Sequence, residues 1–207
     1  MIFRARLFWP VAEPTDCRAN GPVRGVVVEE PDPQIIAAAR GGDTGAFEDL
    51  VRFYQADVWR LCLHLLHNEA QADDVTQDAF VRAFRFLKRY RGDAKFSTWL
   101  FSIARNCAMD EMRRAGRRKR VAQRLDAERP PAAPDPSTVF EIREAMATLP
   151  VELREPMVLI DMFGLSYKDA ADVLELPQGT VKSRVHRARE TVAGVLDPAM
   201  LEVGDEV

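Results

Sequence analysis

Cysteine is scarce in this chain. Its three thiols, Cys17, Cys62 and Cys107, are odd in number and far apart in 207 residues, which excludes a disulfide framework and points to reduced thiols in a cytoplasmic setting. Histidine is as rare. His64 and His67 follow Cys62, but positions i, i+2 and i+5 of a helix diverge and only the two histidines share a side, so neither a metal site nor a cofactor is expected. No apolar run approaches the ~20 residues of a membrane helix. Arg4 and Arg6 are not followed by the apolar core of a signal peptide, so no direct membrane insertion is expected either. The glycine-rich GGDTGAF at Gly41 lacks the lysine of a phosphate-binding loop. His186 lies among arginines without an evident nucleophile or carboxylate, and Cys107 has no visible resolving partner, so the chain does not read as an enzyme. An excess of positive charge is also missing. The net charge is −3, and any nucleic-acid binding has to come from local basic patches against an acidic remainder.

What is present is concentrated between Leu165 and Arg189, LSYKDAADVLELPQGTVKSRVHRAR. Ser166 with Asp169 three residues on reads as a helix N-cap with an acidic reply. Ala170, Ala171, Val173 and Leu174 supply an apolar side, and Leu176-Pro177 ends that helix because proline lacks the N–H that a continuing helix needs. In the next helix Val181, Val185, Ala188 and Val192 form one narrow apolar stripe. Opposite it lie Lys182, Ser183, His186 and Arg187, with Gly179 and Thr180 at the helix start, where free N–H groups attract phosphate. Two short helices, a tight turn and a second helix that is apolar inside and basic outside make a helix-turn-helix. A solvated basic face is the plainer reading of the second helix taken alone; the capped helix and the proline-marked turn before it weigh against that reading.

The segment from Pro177 to Arg189, with its PxGTVKSRxxRAR core, resembles the promoter-reading helix-turn-helix of bacterial sigma factors, specifically the extracytoplasmic-function (ECF) group of the sigma-70 family. The resemblance implies that this is region 4, which binds the −35 promoter element. Gly179, Thr180, Lys182, Ser183, His186 and Arg187 are then the expected −35 contacts.

The rest of the chain can be held against that idea. Helical spacing predicts a short helix over Pro33–Arg40, a long amphipathic one from Phe47 to about His67, and a third from Glu69 to Tyr90. The third opens with Glu69, Asp73, Asp74 and Asp78, which the helix dipole favours. It is apolar on two sides, Val75, Ala79, Ala83, Phe86 and Leu87 on one, Val81 and Phe84 on another, so one side either sinks into a core or faces a partner. The stretch DDVTQDAFVRAF is similar to region 2.2 of the family, which docks on the clamp helices of the largest subunit of core RNA polymerase. Asp74, Gln77, Asp78, Val81 and Arg82 are the expected contacts.

In FSTWLFSIARNCAMDEMRR, spacing sends Phe96, Trp99, Leu100, Ile103 and Cys107 inward and sets Ser102, Asn106, Met109, Asp110 and Arg113 on an adjacent stripe. Asn and Asp can hydrogen-bond exposed base edges, and aromatic rings can stack on an unpaired base, although Trp99 reads more simply as a core aromatic. This stretch resembles regions 2.3 and 2.4, which melt and read the −10 element, the loop before the helix pocketing a flipped base. Tyr90, Lys95, Phe96, Ser97, Ser102, Asn106, Asp110, Arg113 and Arg114 are the expected −10 contacts. From Arg113 to Arg124 seven residues are basic and none is acidic, a run that attracts phosphate whatever the sequence.

The fold expected is all-α: two small helical domains joined by a flexible linker, the C-terminal one a helix-turn-helix. Residues 1–31 carry scattered breakers and no period and are expected to be a disordered extension. Residues 32–115 form the region 2 domain. Residues 116–136 form a basic linker with Pro130, Pro131, Pro134 and Pro136. Residues 137–196 form the region 4 domain, with helices over 138–148 and 152–163 before the helix-turn-helix, and 197–207 form an acidic tail. The resemblance implies a sigma factor that binds core RNA polymerase and promoter DNA and directs transcription initiation, held in check by an anti-sigma factor. The rival is a free-standing helix-turn-helix repressor or activator, which would bind paired half-sites as a dimer without polymerase. A second rival, a protein-interaction mimic, would not need the basic side of the last helix.

Overall fold

The computed structural model describes residues 28–123 and 145–196. Among them every regular element is helical, as expected. Helix α1, Pro33–Gly41, starts on Asp32, whose carboxylate accepts the Gln34 N–H at 2.8 Å, with proline at its first position. Gly42, at φ 104°, ends it in the left-handed conformation that glycine adopts without strain. Asp43 then caps α2, Thr44–Leu66, through the N–H groups of Gly45 and Ala46. Asn68 caps α3, Glu69–Phe86, through Gln71. A 3-10 turn at Leu87–Arg89 follows, where a single longer helix to Tyr90 was expected.

Helix α4, Phe96–Gln123, is the longest element and runs on past Ala115, the expected edge of the domain. Lys95 precedes it, so no capping side chain stands at its own start. The orphan N–H groups of Phe96 and Ser97 are taken instead by the Glu30 carboxylate, at 3.0 and 3.3 Å, from 66 residues earlier in the chain. Helices α2, α3 and α4 pack around Leu50, Tyr54, Val58, Leu61, Val75, Leu100 and Phe101, and the small Ala79, Ala83, Ala104 and Ala108 let the backbones approach.

The C-terminal unit begins, as far as it is described, with a helical turn at 145–148. Helix α5, Val151–Met157, contains Pro156, which cannot donate to the i−4 carbonyl. The chain relaxes into one π-helical turn, Val158–Met162, with the Phe163 N–H reaching back five residues to Val158 at 3.2 Å. Gly164, at φ 63°, closes the turn. Helix α6, Tyr167–Leu174, has the expected cap: Ser166 Oγ accepts the Asp169 N–H at 3.0 Å and donates to the Asp169 carboxylate at 2.8 Å. Its C-cap is Glu175, a non-glycine residue at φ 55°, which costs about 1 kcal/mol. Pro177 follows and α7, Gln178–Leu196, begins. The expected helix over 138–148 is described only from 145, and most of the expected linker and the acidic tail lie outside the described residues.

The two units share one buried core. Phe101 of α4 meets Phe163 edge-on at 5.2 Å. On α5, Glu155 receives a two-pronged bond from Arg105 of α4, at 3.0 Å for each prong. Its neighbour Arg154, 7% exposed, donates to the carbonyls of Leu65 at 3.1 Å and Leu149 at 2.7 Å and touches His67. Burial pushes the Arg154 pKa below its usual value, against the pull of Glu155.

Candidate nucleic-acid and polymerase interfaces

The helix-turn-helix is built as an inside and an outside. Val181, Val185 and Ala188 are fully buried and Val192 nearly so. Gly179, Lys182, Ser183, His186 and Arg187 are exposed, and Thr180 is half-buried. Five of the six expected −35 residues therefore line one solvent-facing side. Lys182 Nζ stands 5.7 Å above the Tyr167 ring, which steadies the lysine from the preceding helix without removing its charge. Ser183 Oγ turns back to donate to the Thr180 carbonyl at 3.0 Å. His186 has a carboxylate neighbour that the sequence reading passed over, Glu190 at 3.7 Å, one helical turn on and fully in solvent. Arg187 makes no ion pair among the described residues. Arg189 leaves this face: its Nε donates to Asp161 at 3.1 Å, tying α7 to the π-helical turn.

On α3, Asp74, Gln77, Asp78 and Val81 are exposed together, Val81 at 49%. Phe84, also 49% exposed, extends this face and meets Phe47 of α2 at 4.9 Å. The patch is mixed acidic and apolar, and its exposure leaves it available to a protein partner. Arg82 is set apart from the other four. It is half-buried and donates to Asp110 of α4 at 3.2 Å, which joins the expected polymerase face to the expected −10 stripe.

The expected −10 residues divide into two sets. Asn106, Arg113 and Arg114 are exposed along one side of α4. Asp110 is half-buried between Arg82 and Arg113. Arg114 lies 3.8 Å from Glu111. Ser102 spends its hydroxyl on the Trp99 carbonyl at 2.7 Å. The other set is engaged with the rest of the chain, and only Lys95 of it stays exposed. Phe96, 1% exposed, and Ser97, 3% exposed, have buried side chains. Phe96 sits in an aromatic cluster with Tyr54, Tyr90 and Trp99 at centroid distances of 5.7, 5.5 and 5.4 Å. Tyr90 is half-buried and donates to the Ala94 carbonyl at 2.7 Å; burial, then Glu30, pushes its pKa up. Lys95 reaches the helix-turn-helix, where its ammonium meets the Asp169 carboxylate at 2.9 Å. Burial alone would raise the Asp169 pKa, but the bonds from Lys95 and Ser166 outweigh it and hold this carboxyl below the usual range.

Three functional features escaped the sequence reading. Glu30 caps α4 from a segment with no helical period. Arg154 and Glu155 grip the other unit; the visible signal was a charged pair set against the apolar run PMVLI. Trp59 of α2 donates to Asp73 at 2.7 Å and so fixes the start of the acidic helix. Cys62 and Cys107 are both buried, and burial pushes the Cys62 thiol up to about 12.

Residues 50–118 match the family described as Sigma-70 region 2, and residues 140–192 match Sigma-70, region 4. The RNA polymerase sigma-H factor of Pseudomonas aeruginosa is 34% identical over 86% of this chain and 100% of its own length. The ECF RNA polymerase sigma factor SigW of Bacillus subtilis is 32% identical over 76% of this chain and 92% of its own. Among solved structures, the sigma factor RpoE in complex with the anti-sigma factor NepR from Bartonella quintana superposes with a TM-score of 0.63 at 27% identity, covering 72% of this chain and 96% of that one. CnrH in complex with the cytosolic domain of CnrY gives 0.62 at 29% identity, over 80% and 96%.

Proposed function

The chain belongs to the ECF RNA polymerase sigma factors, proteins that direct polymerase to promoters, and on that premise we propose how its surfaces divide the task. The exposed side of α7 enters the major groove of the −35 element. Lys182, Ser183, His186 and Arg187 are the side chains able to reach base edges, while Gly179 and Thr180 set the helix on the phosphates. The α3 patch of Asp74, Gln77, Asp78 and Val81, with Arg82 at its margin, docks on the clamp helices of the largest subunit of core polymerase. The −10 element is melted and read along α4. Asn106 and Asp110 meet bases there, Arg113 and Arg114 meet phosphates, and the loop from Tyr90 to Ser97 receives an unstacked base. Residues 32–115 and 137–196 are the two working domains. The nucleotidyl chemistry is the polymerase's, and the chain itself supplies no catalytic group. It acts in the cytoplasm, where polymerase and promoter are. An anti-sigma factor is a further partner, as it is for the solved sigma factor RpoE from Bartonella quintana.

The observation that carries this reading is the two-sidedness of α7: four apolar residues buried, five polar or glycine positions open on the opposite side. The test is in vitro transcription from a randomised promoter library with core polymerase present. Enrichment of a shared −35 and −10 pair is the expected result. If the free chain instead selected paired half-sites about one helical turn apart without polymerase, it would be a repressor or activator.

A further inference from the structure

A short piece of the N-terminal segment lies across the junction of the two units. Val28 donates its N–H to the Phe163 carbonyl at 3.3 Å, next to the helix-turn-helix. The Glu29 carbonyl accepts from the hydroxyl of Tyr54, a fully buried side chain of α2, at 3.0 Å. The Glu30 carboxylate takes the first two N–H groups of α4, and Pro31 is buried behind it. Three consecutive residues, Val28, Glu29 and Glu30, thus touch α2, α4 and the turn before α6. Beside them the Lys95–Asp169 ion pair spans the same junction, and a small cleft remains between Val28, Glu30, Lys95, Phe163 and Asp169.

The consequence falls on one surface only. Lys95 is ion-paired with Asp169, Phe96 and Ser97 are buried, and the N–H groups at their helix start are occupied by Glu30. The α3 patch and the reading side of α7 stay open. This arrangement also cannot read a whole promoter. Elements centred near −35 and −10 lie roughly 25 base pairs apart, about 85 Å along the duplex at 3.4 Å per base pair. Here the helix-turn-helix touches the −10 loop at 2.9 Å.

We propose that Val28–Glu30 is an intramolecular latch: it holds the −10 loop shut against the helix-turn-helix until core polymerase draws the two units apart. The proposal rests on the sigma-factor reading of the preceding section. A latch has to release, and this one is made to. Glu30 is solvent-exposed, the Lys95 side chain is 58% exposed, and the cleft beside them lets water compete for both charges. The α3 patch is open in the closed form, so polymerase can engage before the latch lifts and the −10 loop is uncovered only after that contact.

The experiment uses the full chain with two substitutions, Glu30→Ala and Glu30→Gln. The second keeps the side-chain volume and one acceptor oxygen. Amide exchange over 94–98 is followed in the free protein, and the rate of open-complex formation is followed on the promoter selected from the library. In both variants the Phe96 and Ser97 amides are expected to lose protection while α2 and α3 keep theirs. Opening is expected to speed up by about threefold or more, as removal of a bond from a closed–open equilibrium predicts, with core affinity rising by no more than the same factor. Wild-type protection and wild-type opening rates in both variants would overturn the latch, as would slower opening. A failure of the sigma-factor reading looks different: the wild-type chain would then give no specific transcription, while the exchange experiment would still report whether Glu30 guards α4.

Discussion

Helices α4 and α7 are the two that the sigma-factor reading assigns to DNA, and they meet solvent in opposite ways. Around the start of α7 the polar residues are open and the apolar stripe is buried. At the start of α4 the polar residues are folded in and a carboxylate from elsewhere in the chain covers the backbone. Both starts carry the partial positive charge of a helix N-terminus. At α4 an internal anion has claimed it. The difference teaches that a residue's suitability for DNA and its availability to DNA are separate properties. The first follows from side-chain chemistry, the second from what the rest of the chain packs against it.

The comparison can be broken most severely at the open α3 patch proposed to meet polymerase. Replacing Asp74 and Gln77 by lysine reverses the charge of a face whose acidic residues are open to solvent. Core binding is expected to fall by tenfold or more, on the order of what like-charge juxtaposition costs, with the helical circular dichroism unchanged. Co-purification with core at wild-type strength would show that an open face need not be a working one.

Next in size is the junction that keeps the −10 loop covered. Arg154→Met should remove the donors that satisfy the Leu65 and Leu149 carbonyls while keeping most of the buried volume. A loss of about 3 kcal/mol is expected, because buried carbonyls left unpaired cost about 1–3 kcal/mol each. For a protein of this size that is a drop of roughly 10 °C in melting temperature. A calorimetric scan within about 2 °C of wild type would mean that water replaces the guanidinium and that the junction is looser than its burial implies.

A sharper contrast comes from Arg187→Ala on the open helix set beside Asn106→Ala on α4. Losing one base contact costs about 1–3 kcal/mol of discrimination. Arg187→Ala should therefore flatten preference at one −35 position in a promoter library, and Asn106→Ala should slow opening at −10 without weakening core binding. Equal losses across all −35 variants would make Arg187 a phosphate contact and turn the reading face by part of a helical turn. For Asn106, a structural role would appear instead as a lowered melting temperature.

The smallest effect expected is the pH response of the Lys95–Asp169 contact. The folded-state pKa of Asp169 is held below its unfolded value, so its contribution is present above the unfolded value near 3.8 and is lost as pH falls through the folded one. Urea unfolding at pH 5 and at pH 7 should show no difference from this pair, and the Asp169→Asn variant should converge on wild type only below about pH 4. With Lys95 largely in water the pair contributes less than about 1 kcal/mol. A gap between the two proteins that closed near neutrality would assign the contact to another group.

Much of this molecule is written in local pattern. The Ser166–Asp169 cap, the break at Pro177, the buried Val181–Val185–Ala188–Val192 stripe and the exposed side of α3 depend on residues three or four apart, and helix geometry alone turns that spacing into faces. The sequence by itself therefore determined most of the helices, the exposed polar side of α7 and the two-sided character of α3. It sent Phe96 inward by spacing, but it could not say that Ser97 would be buried beside it, nor that Val28–Pro31 would lie along the junction. The bonds responsible join Glu30 to Phe96 and Arg154 to Leu65, 66 and 89 residues apart. No periodicity encodes a partner at that distance, because a lone glutamate or arginine looks the same whether it meets water or a helix end. Only the packing of one helical unit against the other brought those groups together, and that packing decided which of the two proposed DNA-reading surfaces stands open.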